Sequence, residues 1–370
     1  MTTSANTVHP RLLSAALRLL GPAIALLLSA CATQQGPTAL PLPAPGTEPA
    51  HPTVAKPAAP VTAEQEALKG LVVLQDRLDR VAAPLLINNP ELCKRQARNL
   101  LGFTAKNKYS YSGEFADAAQ QMFGLNERLQ VISVVSGSGA ARLGLKRGDS
   151  LLKVEDKPLP EGQNAERQAA VVLAPMVGKH SSIKLTIARN GNEQVLDIPL
   201  TRACGFRVEL GNADNVNSYA DGGRVVVTRG MMKFVQSDNE LAYVIAKEMA
   251  HNALGHPAKL HINATSSEVI DNLIRVHPDT SALSGSSGIR AMPQEFDAAA
   301  DTLSLYMIAR GGYNVDGALS FWQRLATQYP ASVLNGHTAL HPATAYRFGV
   351  MDQILADVKA KQAANKPLLP

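Results

Sequence analysis

The chain has 370 residues, with 36 Lys and Arg against 31 Asp and Glu, a formal charge of +5. That length is enough for two sizeable cores. The positive excess is not gathered into basic blocks, and no aromatic residues interleave with Lys/Arg runs, which argues against nucleic acid as a partner.

Residues 1–31 read as a targeting segment. Arg11 and Arg18 supply a positive region, and Leu19 to Leu28 is an apolar stretch too short to span a bilayer comfortably. It ends in Leu28-Ser29-Ala30-Cys31, which resembles a bacterial lipobox. The resemblance implies cleavage before Cys31 and lipidation of its thiol, so that the mature body is tethered to a membrane by its anchor. An ordinary secretory signal or an uncleaved anchor is the alternative. Ala32 rather than aspartate follows Cys31. By the same resemblance this implies the bacterial outer membrane, facing the periplasm. Residues 32–61 hold eight prolines among Ala and Thr and read as an extended spacer.

Residues 62–125 are expected to form an N-terminal helical region. Thr62 and Gln65 fit a capping box, and Leu68, Leu71, Val72, Leu78 and Val81 recur at helical spacing. Pro84 and Asn88-Asn89-Pro90 are expected to end that helix. After the anchor cysteine only Cys93 and Cys204 remain. In an oxidising compartment they pair; otherwise they are two buried thiols.

Residues 126–202 change texture. Val131, Ser133 and Val135 alternate with Ile132 and Val134, a Gly/Ser turn comes next, and two alternating runs flank Asn190-Gly191, a hairpin signal. Gly139-Ala140-Ala141-Arg142-Leu143-Gly144-Leu145 and Arg147-Gly148-Asp149-Ser150-Leu151-Leu152 resemble a bacterial PDZ domain. The resemblance implies a groove that takes an extended peptide by strand addition, or a PDZ fold used only for packing. Phe123-Gly124-Leu125 is a candidate carboxylate-binding loop.

Residues 203–370 carry the chemistry. Ser237 and Glu240 predict a helix from about Asp238, on which Leu241, Val244, Ile245, Glu248 and His251 share helical spacing up to Gly255. The run Ala-Lys-Glu-Met-Ala-His, residues 246–251, is H-E-x-x-H with Lys247 in the first position. Positions 247 and 251 lie one turn apart on one face. The long polar stretch 257–294 reads as a lid over a cleft or as a plain insertion.

Around this motif lie Asn217-Ser218-Tyr219-Ala220, Val227-Thr228-Arg229-Gly230-Met231, Asn239-Glu240-Leu241-Ala242 and Gly255-His256. Asp297-Ala298-Ala299-Ala300-Asp301, Ala309-Arg310-Gly311-Gly312-Tyr313, His341-Pro342 and Arg347 come later, in that order. The ensemble resembles the zinc metallopeptidase family M-forty-eight, related to HtpX, the CAAX prenyl protease and BepA, in a lipoprotein branch with a PDZ-like domain. The resemblance implies an α+β fold: a PDZ-like β-rich domain plus a zincin-like, mainly helical metallopeptidase domain. It also implies zinc, with His251 and Asp297 at two ligand positions and Lys247 at the degenerate first one. Glu248 is then the general base that activates a zinc-bound water, and His341 stabilises an oxyanion or simply starts a helix before Pro342. A lysine ammonium offers three donors and no lone pair to a metal, and aspartate is shorter than the family's glutamate. Two expectations stand: a metalloendopeptidase acting on polypeptides, or an inactive pseudoprotease that binds polypeptides in the cell envelope.

Overall fold

A computed structural model describes residues 61–111, 113–259, 291–331 and 336–370. The signal peptide, Cys31, the spacer and most of the 257–294 stretch lie outside them.

The N-terminal helix runs from Ala63 to Ile87. Thr62 and Gln65 close the expected capping box, with bonds of 3.2 and 2.9 Å. Pro84 does not end the helix. It sits in the last turn, and Asn88 closes the C-terminus by donating its N–H to the Pro84 carbonyl.

Residues 62–125 are not wholly helical, contrary to the expectation for this segment. Two strands, β1 (Ala97–Leu100) and β2 (Phe103–Lys106), fall inside it. Each is four residues long, too short for alternation to register. β2 opens a larger sheet with β3 (Gln130–Val134), β4 (Ser150–Val154), β5 (Lys157–Pro158), β6 (Ser182–Arg189) and β7 (Asn192–Pro199), in the order β2-β3-β4-β6-β7 with β5 on β4. The β-rich body therefore starts well before residue 126. Asn190 and Gly191 take positive φ, 52° and 80°, and turn β6 into β7 as the dipeptide predicts. The helix Ala165–Lys179 lays Ala165, Ala169 and Leu173 on the same core as Val131, Ile183, Leu185 and Ile187.

β1 pairs antiparallel with β8 (Thr201–Cys204), Ala97 opposite Cys204 and Leu100 opposite Thr201. Entry to and exit from the β-rich body are thus zipped together. Cys93 and Cys204 are bonded at the base of this zip, with Cα atoms 5.5 Å apart. The N-terminal helix packs with the chain beyond Cys204: Leu78, Val81, Leu85 and Cys93 share one core with Leu210, Val225, Val244, Met307 and Phe321. The division at residues 125 and 203 is corrected accordingly. The long helix belongs with the C-terminal body, and the β-rich body is inserted between them.

The C-terminal body has a three-stranded sheet, β10-β11-β9, from β9 (Arg207–Gly211), β10 (Ser218–Ala220) and β11 (Arg224–Thr228). Beside it stand the motif helix Asp238–Ala253, the acidic helix Gln294–Arg310, the helix Ala318–Gln328 and the C-terminal helix Ala345–Ala363. No helix among the described residues is long and apolar enough to cross a membrane.

Candidate functional site

The motif helix starts where Ser237 predicts, its hydroxyl accepting from the Glu240 N–H at 3.2 Å. The Glu240 side chain does not close the box back onto Ser237. It accepts from the Gln236 N–H and clamps Arg324 instead. The helix ends at Ala253, with Gly255 at φ 69° just beyond. Leu241 to Asn252 are all buried, so the helix is a core rod rather than an amphipathic surface helix.

β10 is held against this rod by local bonds. Thr228 Oγ1 accepts from the N–H groups of Asn217 and Met231. Gly230 is required there, because a Cβ would come within 2.3 Å of the carbonyl oxygens of Asp214 and Asn215. Asn252, at the end of the rod, donates to the Arg224 carbonyl at 2.8 Å. These bonds set Ser218 beside Glu248, to which it donates at 2.9 Å.

Lys247 is fully buried and does not point at a free cleft. Its Nζ lies 2.5 Å from Asp301 Oδ1 and 3.2 Å from Asp297 Oδ1, and 5.4 Å from the centre of the Trp322 ring. Arg347 closes the cluster from the C-terminal helix: Nε on Asp301 Oδ2 at 2.8 Å and Nη1 at 3.7 Å from Asp297 Oδ2. Arg347 also donates to the carbonyls of His341 and Pro342. A buried pair survives only with such geometry and saturation.

The remaining expected residues converge here. His251 Nε2 approaches Asp297 Oδ1 at 3.3 Å without hydrogen-bond geometry, and its Nδ1 meets His256 Nδ1 at 2.9 Å. The His256 ring stacks on Phe296 at 4.4 Å. His341 does not start a helix. It comes after the short helix Gly336–Leu340, and the next helix begins at Ala345, capped by Thr344. Its Nδ1 sits 2.6 Å from Asp297 Oδ1, so it donates to the carboxylate. Phe123-Gly124-Leu125 is not a carboxylate loop. It is the end of the helix Ala116–Phe123, Gly124 being its left-handed cap and Leu125 a buried contact of Leu68 and Phe115. The turn that does open onto the sheet edge is Leu100-Leu101-Gly102, where Gly102 has φ 80°.

Burial sets the protonation states. It pushes Glu248 above the usual carboxylate range, against the pull of His341 and Lys247. It holds His251 and His337 well below the usual imidazole range and takes His256 down to about 4. Burial alone would raise Asp297 as well, but Lys247, His341 and the nearby His251 ring outweigh it and hold this carboxyl well below its usual range.

Two residues of the site carry no role in the sequence reading, His337 and Ser218. Yet His337 and His341 are four residues apart, a spacing that stacks two imidazoles on one helical turn, and this signal is legible in the sequence. His337 Nδ1 lies 3.1 Å from Ser218 Oγ, and its ring stacks on Trp322.

The ligand positions implied by the motif are 247, 251 and 297. Their residues do not fit a zinc ion bound in that manner. Lys247 has no lone pair to give while protonated, and its ammonium is already paired with Asp297 and Asp301. Arg347 flanks the other oxygen of Asp297. A divalent cation between 247 and 297 would meet both positive charges.

Residues 186–354 match the description "Peptidase family M48". The chain is also 24% identical over 200 residues to "Metalloendopeptidase OMA1, mitochondrial" of Bos taurus, over 47% of this chain and 37% of that protein. It thus spans little more than a third of that relative's length. Two solved structures are similar. The HtrA3 PDZ domain bound to a phage-derived ligand (FGRWV) shares 20% identity over 28% of this chain and 86% of its own, with a TM-score of 0.20. The HtrA-type protease AlgW with decapeptide shares 22% identity over 29% of this chain and 30% of its own, with a TM-score of 0.21. The order of motifs, their convergence on one buried pocket and the matched span agree: residues 186–354 of this chain are similar to peptidase family M48.

Proposed function

We propose that this chain is a polypeptide-binding pseudoprotease of the cell envelope, anchored by lipid at Cys31 and facing the periplasm. The observation that carries the reading is the Lys247 ammonium buried between Asp297 and Asp301. It supplies positive charge where the family uses a metal, and it does so without a lone pair for one. The frame of the peptidase remains: the edge strand β10, the motif helix and the acidic helix. A peptide is taken up as an added strand, on β2 beside the Leu100-Leu101-Gly102 turn, since β2 pairs only with β3 within the sheet. The unpaired side of β2 offers backbone groups to an extended partner.

The test is a cleavage assay and a binding assay on one preparation. Full-length protein is incubated with zinc and a denatured protein substrate, and separately titrated with fluorescent extended peptides. The reading expects binding without cleavage, and cleavage in neither the wild type nor Glu248→Gln. Zinc-dependent cleavage by the wild type, lost in Glu248→Gln, would overturn it in favour of an active metalloendopeptidase. For the anchor, Cys31→Ser is expected to move the protein from the membrane fraction to the soluble periplasmic fraction. An unchanged membrane fraction removes the lipid anchor.

A further inference from the structure

The carboxylates of the pocket are not treated alike. Asp297 and Asp301 share the Lys247 ammonium and the Arg347 guanidinium. Glu248, 1% exposed, has only the Ser218 hydroxyl at 2.9 Å. Among the described residues no Lys or Arg nitrogen lies within ion-pairing distance of it. Three carboxylates therefore face two fixed cations, and the one left over is Glu248. A buried ionised carboxylate without a cation is strongly disfavoured, so Glu248 either keeps its proton or takes a further positive charge.

Two imidazoles are set to hold one. Ser218 has a single proton. With that proton on Glu248, the 3.1 Å contact with His337 requires His337 to donate from Nδ1. Asp297 only accepts, so His341 also donates from Nδ1. In a neutral ring, a proton on Nδ1 leaves the Nε2 lone pair free for a metal. A hydroxyl or carboxylate behind the imidazole is what orients metal-binding histidines. His341 Nε2 is buried without a hydrogen-bond partner and lies 3.9 Å from Glu248 Oε1. One donor atom from each of Glu248, His337 and His341 falls within 4.8 Å of the other two.

We propose that Glu248, His337 and His341 form a site for one divalent transition-metal cation, beside the Lys247 cluster and separate from the ligand positions 247, 251 and 297. Two imidazoles and one carboxylate suit Zn²⁺, Co²⁺ or Fe²⁺ rather than Ca²⁺ or Mg²⁺. The competing trio His251, Asp297 and His341 is equally compact, but Lys247 and Arg347 already flank its carboxylate. At the proposed site Glu248 is a ligand and not a free base. The cation would pin the short helix Gly336–Leu340 to the motif helix, a structural role that goes beyond the pseudoprotease reading and does not depend on it.

The test uses untagged full-length protein stripped with a chelator and titrated with Co²⁺ alone, read by visible absorption and by thermal melting. The expected result is one equivalent of Co²⁺, displaced by Zn²⁺, with a raised melting temperature. Glu248→Gln and His337→Asn should each weaken uptake at least ten-fold, while His251→Asn retains it. If Glu248→Gln does not fold, His337→Asn carries the test. No uptake by folded wild type overturns the proposal. So does uptake lost in His251→Asn and kept in His337→Asn, which would place the cation at the family position.

Discussion

The two bodies of this chain both use basic–acidic pairs, and they use them differently. In the β-rich body Arg189 reaches Asp149 from a side chain one quarter exposed, and also bonds the Gly144 carbonyl. The pair fastens a turn, with Asp149 buried and the arginine still in reach of water. In the C-terminal body Lys247, Asp297, Asp301 and Arg347 are nearly sealed from solvent. There a charge is tolerated only because each neighbour is placed for it. The same chemistry is an accessory fastening in one body and a condition of folding in the other.

The largest effect should come from Lys247→Ala. It leaves two buried carboxylates short of a cation, and should lower the unfolding free energy by about 3–5 kcal/mol, read by urea denaturation. A loss near zero would mean that water or another cation fills the gap. Next comes Cys93→Ser with Cys204→Ser. Opening a loop of sequence separation 111 should remove about 2–4 kcal/mol, seen as a lower denaturation midpoint under oxidising conditions and no change under reducing ones.

A pH series separates the bodies further. His251, His256 and His337 have folded-state values below the ordinary imidazole range, His256 at about 4. Below about pH 6.5 the unfolded chain takes up protons that these folded rings refuse. Their contribution is therefore complete above that pH and falls as pH drops toward their folded values. Asp297, held low, adds stability above the usual carboxylate range that is lost only in stronger acid. Glu248, held high, works in the opposite sense, but three rings outnumber it: the urea midpoint of the C-terminal body should decline from pH 7 to pH 5, monitored by Trp322 fluorescence. A flat profile over that range would mean the histidines are not buried neutral. The smallest effect is expected of Arg189→Met, under about 1 kcal/mol in the same titration. A larger loss would show that the Asp149 turn is as sealed as the pocket and would erase the contrast.

Much of this is legible in the sequence, for local reasons. Thr62 with Gln65 and Asn190-Gly191 act over two to four residues, and the structure forms the helix start and the hairpin they encode. The family frame is legible because its motifs come in fixed order. The features that are not legible depend on distance. β1 and β2 exist because strands far along the chain receive them, β8 and β3, and four residues cannot announce that. The Lys247 ammonium has three acidic candidates in sequence. The fold selects Asp301 first and Asp297 second, because the acidic helix lies against the motif helix in that register. The spacing of His337 and His341 is legible in the sequence, but the neighbours of His337 in the pocket are not, since Ser218 comes from β10 and Trp322 from a separate helix.

The zip of β1 and β8 at the Cys93–Cys204 bond has a bearing on how the two bodies can be exchanged. The chain leaves the C-terminal body and returns to it through a neck whose ends are 5.5 Å apart, less than two Cα steps. To the surrounding body the whole β-rich module is a loop closed at its stem. A module with adjacent termini can be exchanged at such a neck, with loss of the contacts the long helix makes to it: Asp79 with Ser133, Asp76 with Arg147 and Leu68 with Phe115. A protease that cuts anywhere within the module likewise leaves a single covalent molecule, held together at the neck.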